Sequence, residues 1–155
     1  MSNHCWAVAK GKCNHICNSK KRIQVQSSGY VGGYYGNCSE LAMMKELQSG
    51  PIVINFEATP FGFSVVDNNQ SVYTPDRQWV KNYRVKGNRK DGWERVGHSV
   101  LIYGYGVKEG KKFWRVQNSW GKGWGEAGKG RVERGVDAMG IESNSEWATP
   151  VVVEG

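Results

Sequence analysis

The 155-residue sequence lacks any apolar run that approaches the roughly 20 residues of a membrane-spanning helix, so we predict no membrane span. The first ten residues also lack the apolar core of a secretory signal. Either the protein is not secreted, or Met1 is not the start of the precursor. The length, with 39% hydrophobic residues, predicts one folded domain over residues 1–155.

Acidic residues are scarce relative to basic ones, 14 against 21, which gives a net charge of +7. Such a balance can indicate nucleic acid, acidic membrane or acidic protein partners. The positive charges are spread along the chain and no pattern of a nucleic-acid-binding module occurs, so we predict no nucleic-acid partner. The densest basic stretch, residues 77–95, is typical of a solvated loop, with a docking surface for an acidic partner as the alternative.

Aromatic residues and glycine, in contrast, are abundant. Seven tryptophans and seven tyrosines predict a specific core or a large interface, because aromatic side chains bury large areas. The 21 glycines indicate many turns, which is typical of a β-rich fold.

One short helix is predicted over Ser39–Gln48, where Ser39 can cap the N-terminus and Leu41, Met44 and Leu47 fall on one face. Residues 1–26 carry few helix or strand signals, and residues 59–97 form a long, turn-rich connection. The predicted strands are Ile52–Phe56, Ser99–Tyr105, Phe113–Val116, Gly130–Glu133 and Val151–Val153. This order predicts an α+β fold with an antiparallel sheet that curls toward a barrel.

Two segments carry the chemistry, GHSVLIYGYG at residues 97–106 and WRVQNSWGKGWGE at residues 114–126. Neighbouring antiparallel strands would place His98 beside Asn118, whose carbonyl oxygen could accept the imidazole N–H and fix its tautomer. Trp120 could cover that hydrogen bond from water. Taken singly, such a histidine is more often structural, and an asparagine before a turn commonly serves the turn. Together they predict the base and orienting residue of a Cys/His/Asn site.

The two strings resemble those of the papain family of cysteine peptidases. Further strings, at residues 30–38, 50–57 and 134–150, resemble the cathepsin C (dipeptidyl peptidase I) branch, and the resemblance covers residues 28–150. It implies the β-barrel-like right domain of the papain fold, with one short helix and long loops. It also implies that His98 is the general base, Asn118 its orienting residue and Trp120 the shielding indole.

The family's nucleophile string, a glutamine followed by CGSCW at the start of a long helix, has no convincing copy in this chain. The pair Cys5-Trp6 resembles its end, but only four residues precede it, so the glutamine of the oxyanion hole has no counterpart. Gly11 also follows too soon for a long helix. A second alignment register makes Cys5 a structural cysteine, as are Cys13 and Cys17, and we favour that interpretation.

The N-terminal segment, residues 1–27, is rich in cysteine and lysine and raises three further possibilities. A disulfide such as Cys5 with Cys17 is expected if the chain is extracytosolic. The chloride site implied by the cathepsin C resemblance is in doubt, because Val8 stands where the associated tyrosine would be. Zinc would accept four of the soft ligands here, but their spacing matches no standard zinc pattern, so we predict no metal cofactor. Those ligands are His4, Cys5, Cys13, His15 and Cys17.

Two functions fit these features. The favoured hypothesis is a pseudoenzyme, inactive alone, that serves as a structural or interaction subunit; Lys129, at a usually aromatic position, and Met139, at a frequent cysteine position, agree with it. The alternative is one chain of a multi-chain cysteine-type (dipeptidyl) peptidase whose nucleophilic cysteine another polypeptide supplies. Both predict protein partners, and a peptide substrate only for the completed site. The resemblance implies a lysosomal, vacuolar or secreted protein, whereas the missing signal also allows the cytoplasm or a large assembly.

Overall fold

The computed structural model describes residues 21–57, 71–76 and 97–154, together with two short strands at 8–9 and 12–13. The chain divides into two compact units, one of Met1–Ser27 with Thr149–Gly155 and the other of Ser28–Ala148. The N-terminal cysteine and histidine ligands and the basic stretch at 77–95 lie outside the described side chains. No helix among the described residues is long and apolar enough to cross a membrane.

In the first unit, β1 (Val8–Ala9) and β2 (Lys12–Cys13) form a small antiparallel pair. The main sheet has six strands in the order β3-β8-β4-β5-β6-β7, and the pairs β4–β8, β4–β5, β5–β6 and β6–β7 are antiparallel. One α-helix, α1 (Glu40–Glu46), lies in the described part of the chain. The strands are β3 (Lys21–Tyr30), β4 (Ile52–Phe56), β5 (His98–Lys108), β6 (Lys111–Gln117), β7 (Lys129–Glu133) and β8 (Ser145–Glu154). The predicted α+β fold with an antiparallel sheet is confirmed.

Strand β3 corrects the prediction that the chain up to residue 26 carries few helix or strand signals. Ile23 and Val25 alternate with polar residues as in a strand, but the pattern holds only two apolar residues, and both are exposed. Strand β8 is likewise longer than the predicted Val151–Val153, and its side chains are mostly exposed or half-buried. Both strands are stabilised by backbone pairing with strands that are distant in sequence, and a local sequence pattern does not reveal such pairing.

Helix α1 begins as predicted, because the Ser39 hydroxyl accepts a hydrogen bond from the Ala42 N–H at 3.3 Å. The predicted apolar face was wrong at Leu41, which is 77% exposed. Met44 and Leu47 pack partly against the core as predicted, and Met43 is fully buried.

Electrostatic anchoring explains which face α1 buries. The Glu40 carboxylate binds Lys112 Nζ at 2.9 Å and also pairs with Arg134. Residues three and four positions apart share a helix face, so fixing Glu40 against β6 and the end of β7 turns Met43 toward the core and Leu41 toward solvent.

The core of the second unit lies under the central strands, whose inward residues alternate with outward ones as the period of a strand requires. Trp114 is the largest of the fully buried side chains. Met139, which stands where the family often has cysteine, is also fully buried and adopts a positive φ of 57°. The core comprises Val31, Met43, Ile52, Ile54, Phe56, Val100, Ile102, Trp114, Val116, Trp124, Val132, Ala138, Met139 and Ile141.

A buried carboxylate holds the loop that joins β7 to β8. Glu142 accepts hydrogen bonds from the Trp114 indole at 2.9 Å, the Gly135 N–H at 2.6 Å and the Asp137 N–H at 3.0 Å. Asp137 accepts the Glu142 N–H in return at 2.9 Å. The loop is thereby tied to β6 through bonds whose loss would leave buried donors unsatisfied.

Of the long connection predicted at residues 59–97, the structure describes residues 71–76 and Gly97. Tyr73 forms a β-bridge with Val132, with its N–H bound to the Arg131 carbonyl at 2.8 Å. Burial raises the pKa of the Tyr73 hydroxyl above its ordinary value, because the ionised form loses solvation.

The observed helix orientation predicts a contrast between two neighbouring truncations. Met43→Ala should lower the free energy of unfolding by about 2–5 kcal/mol, because it empties a buried site. Leu41→Ala, the matched exposed control, should change it by less than about 0.5 kcal/mol. Urea unfolding of both variants measures the difference. A larger loss in Leu41→Ala than in Met43→Ala would mean that the sequence-based face is the buried one, and equal losses would contradict the observed orientation.

Candidate active site

His98 is the first residue of β5 and lies directly opposite Phe56, the last residue of β4. The two rings make an edge-to-face contact with centroids 5.7 Å apart. The backbone N–H of Gly97, the residue before His98, donates to the Phe56 carbonyl at 3.0 Å. This bond fixes the backbone where β5 begins. The half-buried imidazole is therefore held at one end of the sheet by its own strand and by β4.

Asn118 follows β6 directly, and its side chain is 95% buried, with 5% exposed. Its Oδ1 lies 2.8 Å from His98 Nε2 and accepts the Ser119 backbone N–H, also at 2.8 Å. Since Oδ1 accepts a backbone donor, this atom is the oxygen of the amide, and His98 Nε2 must be the donor. The neutral imidazole is then the tautomer whose basic lone pair is on Nδ1.

Trp120 stacks on His98, with ring centroids 4.9 Å apart and planes 30° from parallel. Trp120 also meets the largely buried Trp124 edge to face, with ring centroids 6.2 Å apart. Trp120 itself is 47% exposed. The indole therefore covers one face of the imidazole, and its role in shielding the hydrogen bond with Asn118 from water stays a prediction.

The β5–β6 register brings the three residues to one end of the hairpin. Leu101 pairs with Gln117 as the last pair of the antiparallel ladder. His98 lies three residues before Leu101, and Asn118 and Trp120 lie one and three residues after Gln117.

One buried donor of the site lacks a partner within the part of the chain that the structure describes. Among the described residues, Asn118 Nδ2 has no hydrogen-bond acceptor, although the Oδ1 of the same amide serves two donors. A buried unsatisfied donor costs stability of the order of 1–3 kcal/mol.

The structure thus brings together all three residues of the predicted site, His98, Asn118 and Trp120; their catalytic roles stay predictions. Cys5 lies outside the described residues. The sequence interpretation missed Phe56 as a contact of the imidazole and the Ser119 N–H as a second donor to Asn118. Neither contact has a signal in the local sequence. Within the described ranges, no group of three or more histidine, cysteine or acidic side chains could hold a metal ion.

Because Asn118 Oδ1 accepts two hydrogen bonds, we expect truncation of Asn118 to lower stability much more than truncation of the neighbouring Ser119. Asn118→Ala leaves the His98 and Ser119 N–H groups without their acceptor and should destabilise the chain by about 2 kcal/mol. Ser119→Ala, the adjacent control, keeps the backbone donor and should change stability by less than about 0.5 kcal/mol. Denaturant unfolding distinguishes the two, and indistinguishable midpoints would contradict the double role of Oδ1.

Comparison with known proteins places this geometry in a family. Dipeptidyl aminopeptidase 1 of Plasmodium falciparum (isolate 3D7) is 34% identical over 161 aligned positions, which cover 92% of this chain and 22% of that protein. Cathepsin C of Schistosoma mansoni is 35% identical over 149 positions, covering 92% of this chain and 30% of that protein. The chain therefore spans less than a third of the length of these two curated relatives.

Solved structures agree. The proform of the Amb a 11 cysteine protease, a ragweed pollen allergen, matches 89% of this chain and 38% of its own with a TM-score of 0.64 and 26% identity. The bromelain protease of Ananas comosus matches 92% of this chain and 57% of its own with a TM-score of 0.59 and 27% identity. A family model described as papain family cysteine protease matches residues 2–149. With this match over nearly its whole length, the chain belongs to the papain family of cysteine proteases.

Proposed function

We propose that this chain provides the general-base half of a papain-type cysteine peptidase site and that another polypeptide supplies the nucleophilic thiol. The observation that supports this is the hydrogen bond from His98 Nε2 to Asn118 Oδ1 beneath the Trp120 ring. It holds the imidazole in the tautomer whose Nδ1 can accept a proton, which is what a general base requires.

In the completed site, His98 Nδ1 takes the proton of the thiol, and the thiolate attacks the carbonyl carbon of the peptide bond. Collapse of the tetrahedral intermediate breaks the C–N bond, and the imidazolium gives its proton to the leaving amine. Water then attacks the thioester with His98 as base again, which releases the acid and restores the thiol. Asn118 keeps the ring aimed through both proton transfers.

The proposed substrate class follows from the relatives. The Plasmodium protein is named a dipeptidyl aminopeptidase, and the Schistosoma protein a cathepsin C. We accordingly propose that the completed enzyme releases dipeptides from peptide N-termini. Residues 28–150 would be the peptidase-like part of a single domain and residues 1–27 a Cys- and Lys-rich extension, a division that the compact unit Ser28–Ala148 supports.

A second candidate is the pseudoenzyme, a non-catalytic interaction subunit. The observation that favours it concerns Lys129, whose Nζ lies 5.4 Å from the centre of the Tyr103 ring on an exposed part of the sheet. This exposed ammonium occupies a position where the family resemblance implies an aromatic residue. A surface that has become basic suits a partner carrying acidic groups.

A chimera tests the first proposal. In it, this chain replaces the region of Schistosoma mansoni cathepsin C to which it is similar, so that the preceding part of that protein completes the site. The chimera should hydrolyse a fluorogenic dipeptide amide, and His98→Ala should lower kcat/KM by about 10²–10⁴-fold because the general base is lost. Lys111→Ala, at an exposed hairpin position, is the control and should leave kcat/KM unchanged.

Activity that is indifferent to His98→Ala would refute the base role. A folded chimera with no activity would instead favour the interaction subunit, since the fold would then have been retained without the chemistry.

The isolated chain should be inactive on the same substrate, since its sequence has no convincing copy of the family's nucleophile string with the preceding oxyanion glutamine. The fluorescence signal should equal that of buffer for the wild type and for Cys5→Ala. Turnover that disappears in Cys5→Ala would show that the nucleophile lies within this chain and would contradict the proposal.

A further inference from the structure

Gln117 is the last residue of β6 and immediately precedes Asn118. Its half-buried side chain turns back toward the loop that follows. The Nε2 atom donates to the Asn118 carbonyl at 3.1 Å and to the Gly128 carbonyl at 3.0 Å. One side-chain amide thus spans two backbone carbonyls that no strand ladder would otherwise join.

The same Gly128 carbonyl also accepts the Asn118 backbone N–H, at 2.9 Å. Gly128 is fixed in turn, since its own N–H donates to the Trp124 carbonyl at 2.7 Å. Its φ is +90°, and a Cβ there would come within 3.2 Å of Gln117 Nε2, so a side chain at this position would disturb the contact. Asn118 is therefore tied to one rigid loop through both its N–H and, by way of Gln117, its C=O.

The orientation of the Gln117 amide is determined by these contacts. Both hydrogens of Nε2 have acceptors, and a reversed amide would set Oε1 against two carbonyl oxygens. Because the two hydrogen bonds of Gln117 Nε2 require one orientation of the side-chain amide, they resist rotation of the Asn118 peptide group. That resistance matters because Asn118 Oδ1 must reach His98 Nε2 and the Ser119 N–H at the same time, each at 2.8 Å.

We infer that Gln117 is a positioning residue for the His98–Asn118 pair, acting through the backbone of Asn118. The inference rests on the proposed function for its catalytic meaning. Its physical content, that the Gln117 amide holds the imidazole hydrogen bond, can be measured in the isolated chain without any activity.

The test follows the His98 Nε2 proton by ¹H–¹⁵N NMR in the full 155-residue chain. In wild type this proton should exchange slowly with water, and the ring nitrogen shifts should report the Nε2–H tautomer. Gln117→Met keeps the length and removes the donor, so exchange should become about tenfold faster and the second tautomer should appear. Gln117→Lys restores a donor with enough reach and should keep the rate within about threefold of wild type.

Gln48→Met is the matched control. Gln48 Nε2 also makes two hydrogen bonds, to the Met44 carbonyl and to the Tyr105 hydroxyl, both at 3.3 Å, but neither partner belongs to the site. This variant should leave the His98 proton unchanged. Equal acceleration in Gln48→Met and Gln117→Met would mean a global effect and would overturn the inference, as would an unchanged exchange rate in Gln117→Met.

Should Gln117→Met fail to fold, Gln117→Asn replaces it, since one methylene less prevents the amide from reaching both carbonyls, and the same criteria apply. The two proposals fail separately. An inactive chimera would contradict the proposed catalytic function but not the NMR result. A His98 proton whose exchange rate does not change in Gln117→Met would contradict the role of Gln117 but not the dependence of the chimera on His98.

Discussion

The register of the β5–β6 pair is the constraint on which the candidate active site depends. Ile102 pairs with Val116, but Gly104 pairs with Arg115, so Tyr103 is one extra residue in β5, a β-bulge. The bulge separates the closed end of the hairpin from the end that carries the site, where Leu101–Gln117 is the last pair and His98 and Asn118 lie just beyond it. The register on this side of the bulge therefore helps to set which residues after β6 lie near His98.

A second support reaches the same end of the sheet from the other side. The loop between β7 and β8, anchored through the Glu142 carboxylate to the Trp114 indole, presents the Met139 carbonyl to the Glu57 N–H at 3.0 Å. Glu57 follows Phe56, whose ring contacts His98. The histidine is thus held from β4 by the buried loop and from β6 by the Asn118 turn. Groups held from two sides keep their geometry better than groups held by one flexible segment, which is what a site for proton transfer needs.

Much of the site could be predicted from the sequence because its chemistry is local to two strings. His98 at a strand start and Asn118 before a glycine-rich turn needed only an antiparallel neighbour relation to meet. The bulge at Tyr103 could not be predicted, since an extra residue becomes visible only when both strands are paired. The exposure of Leu41 was missed for a related reason: the ion pairs of Glu40 with Lys112 and Arg134, which hold the start of this seven-residue helix, join residues that are distant in sequence. Strand β3 was missed because its apolar residues face solvent.

The amide of Asn118 bears on the choice between the two functions. Its Oδ1 satisfies two donors, but among the described residues its Nδ2 is buried without an acceptor, a cost of about 1–3 kcal/mol. Removing the amide would not recover this cost, because His98 Nε2 and the Ser119 N–H would then lose their acceptor. A neutral acceptor for the Nε2 proton fixes one imidazole tautomer, which the proposed general-base half requires and a purely structural subunit does not.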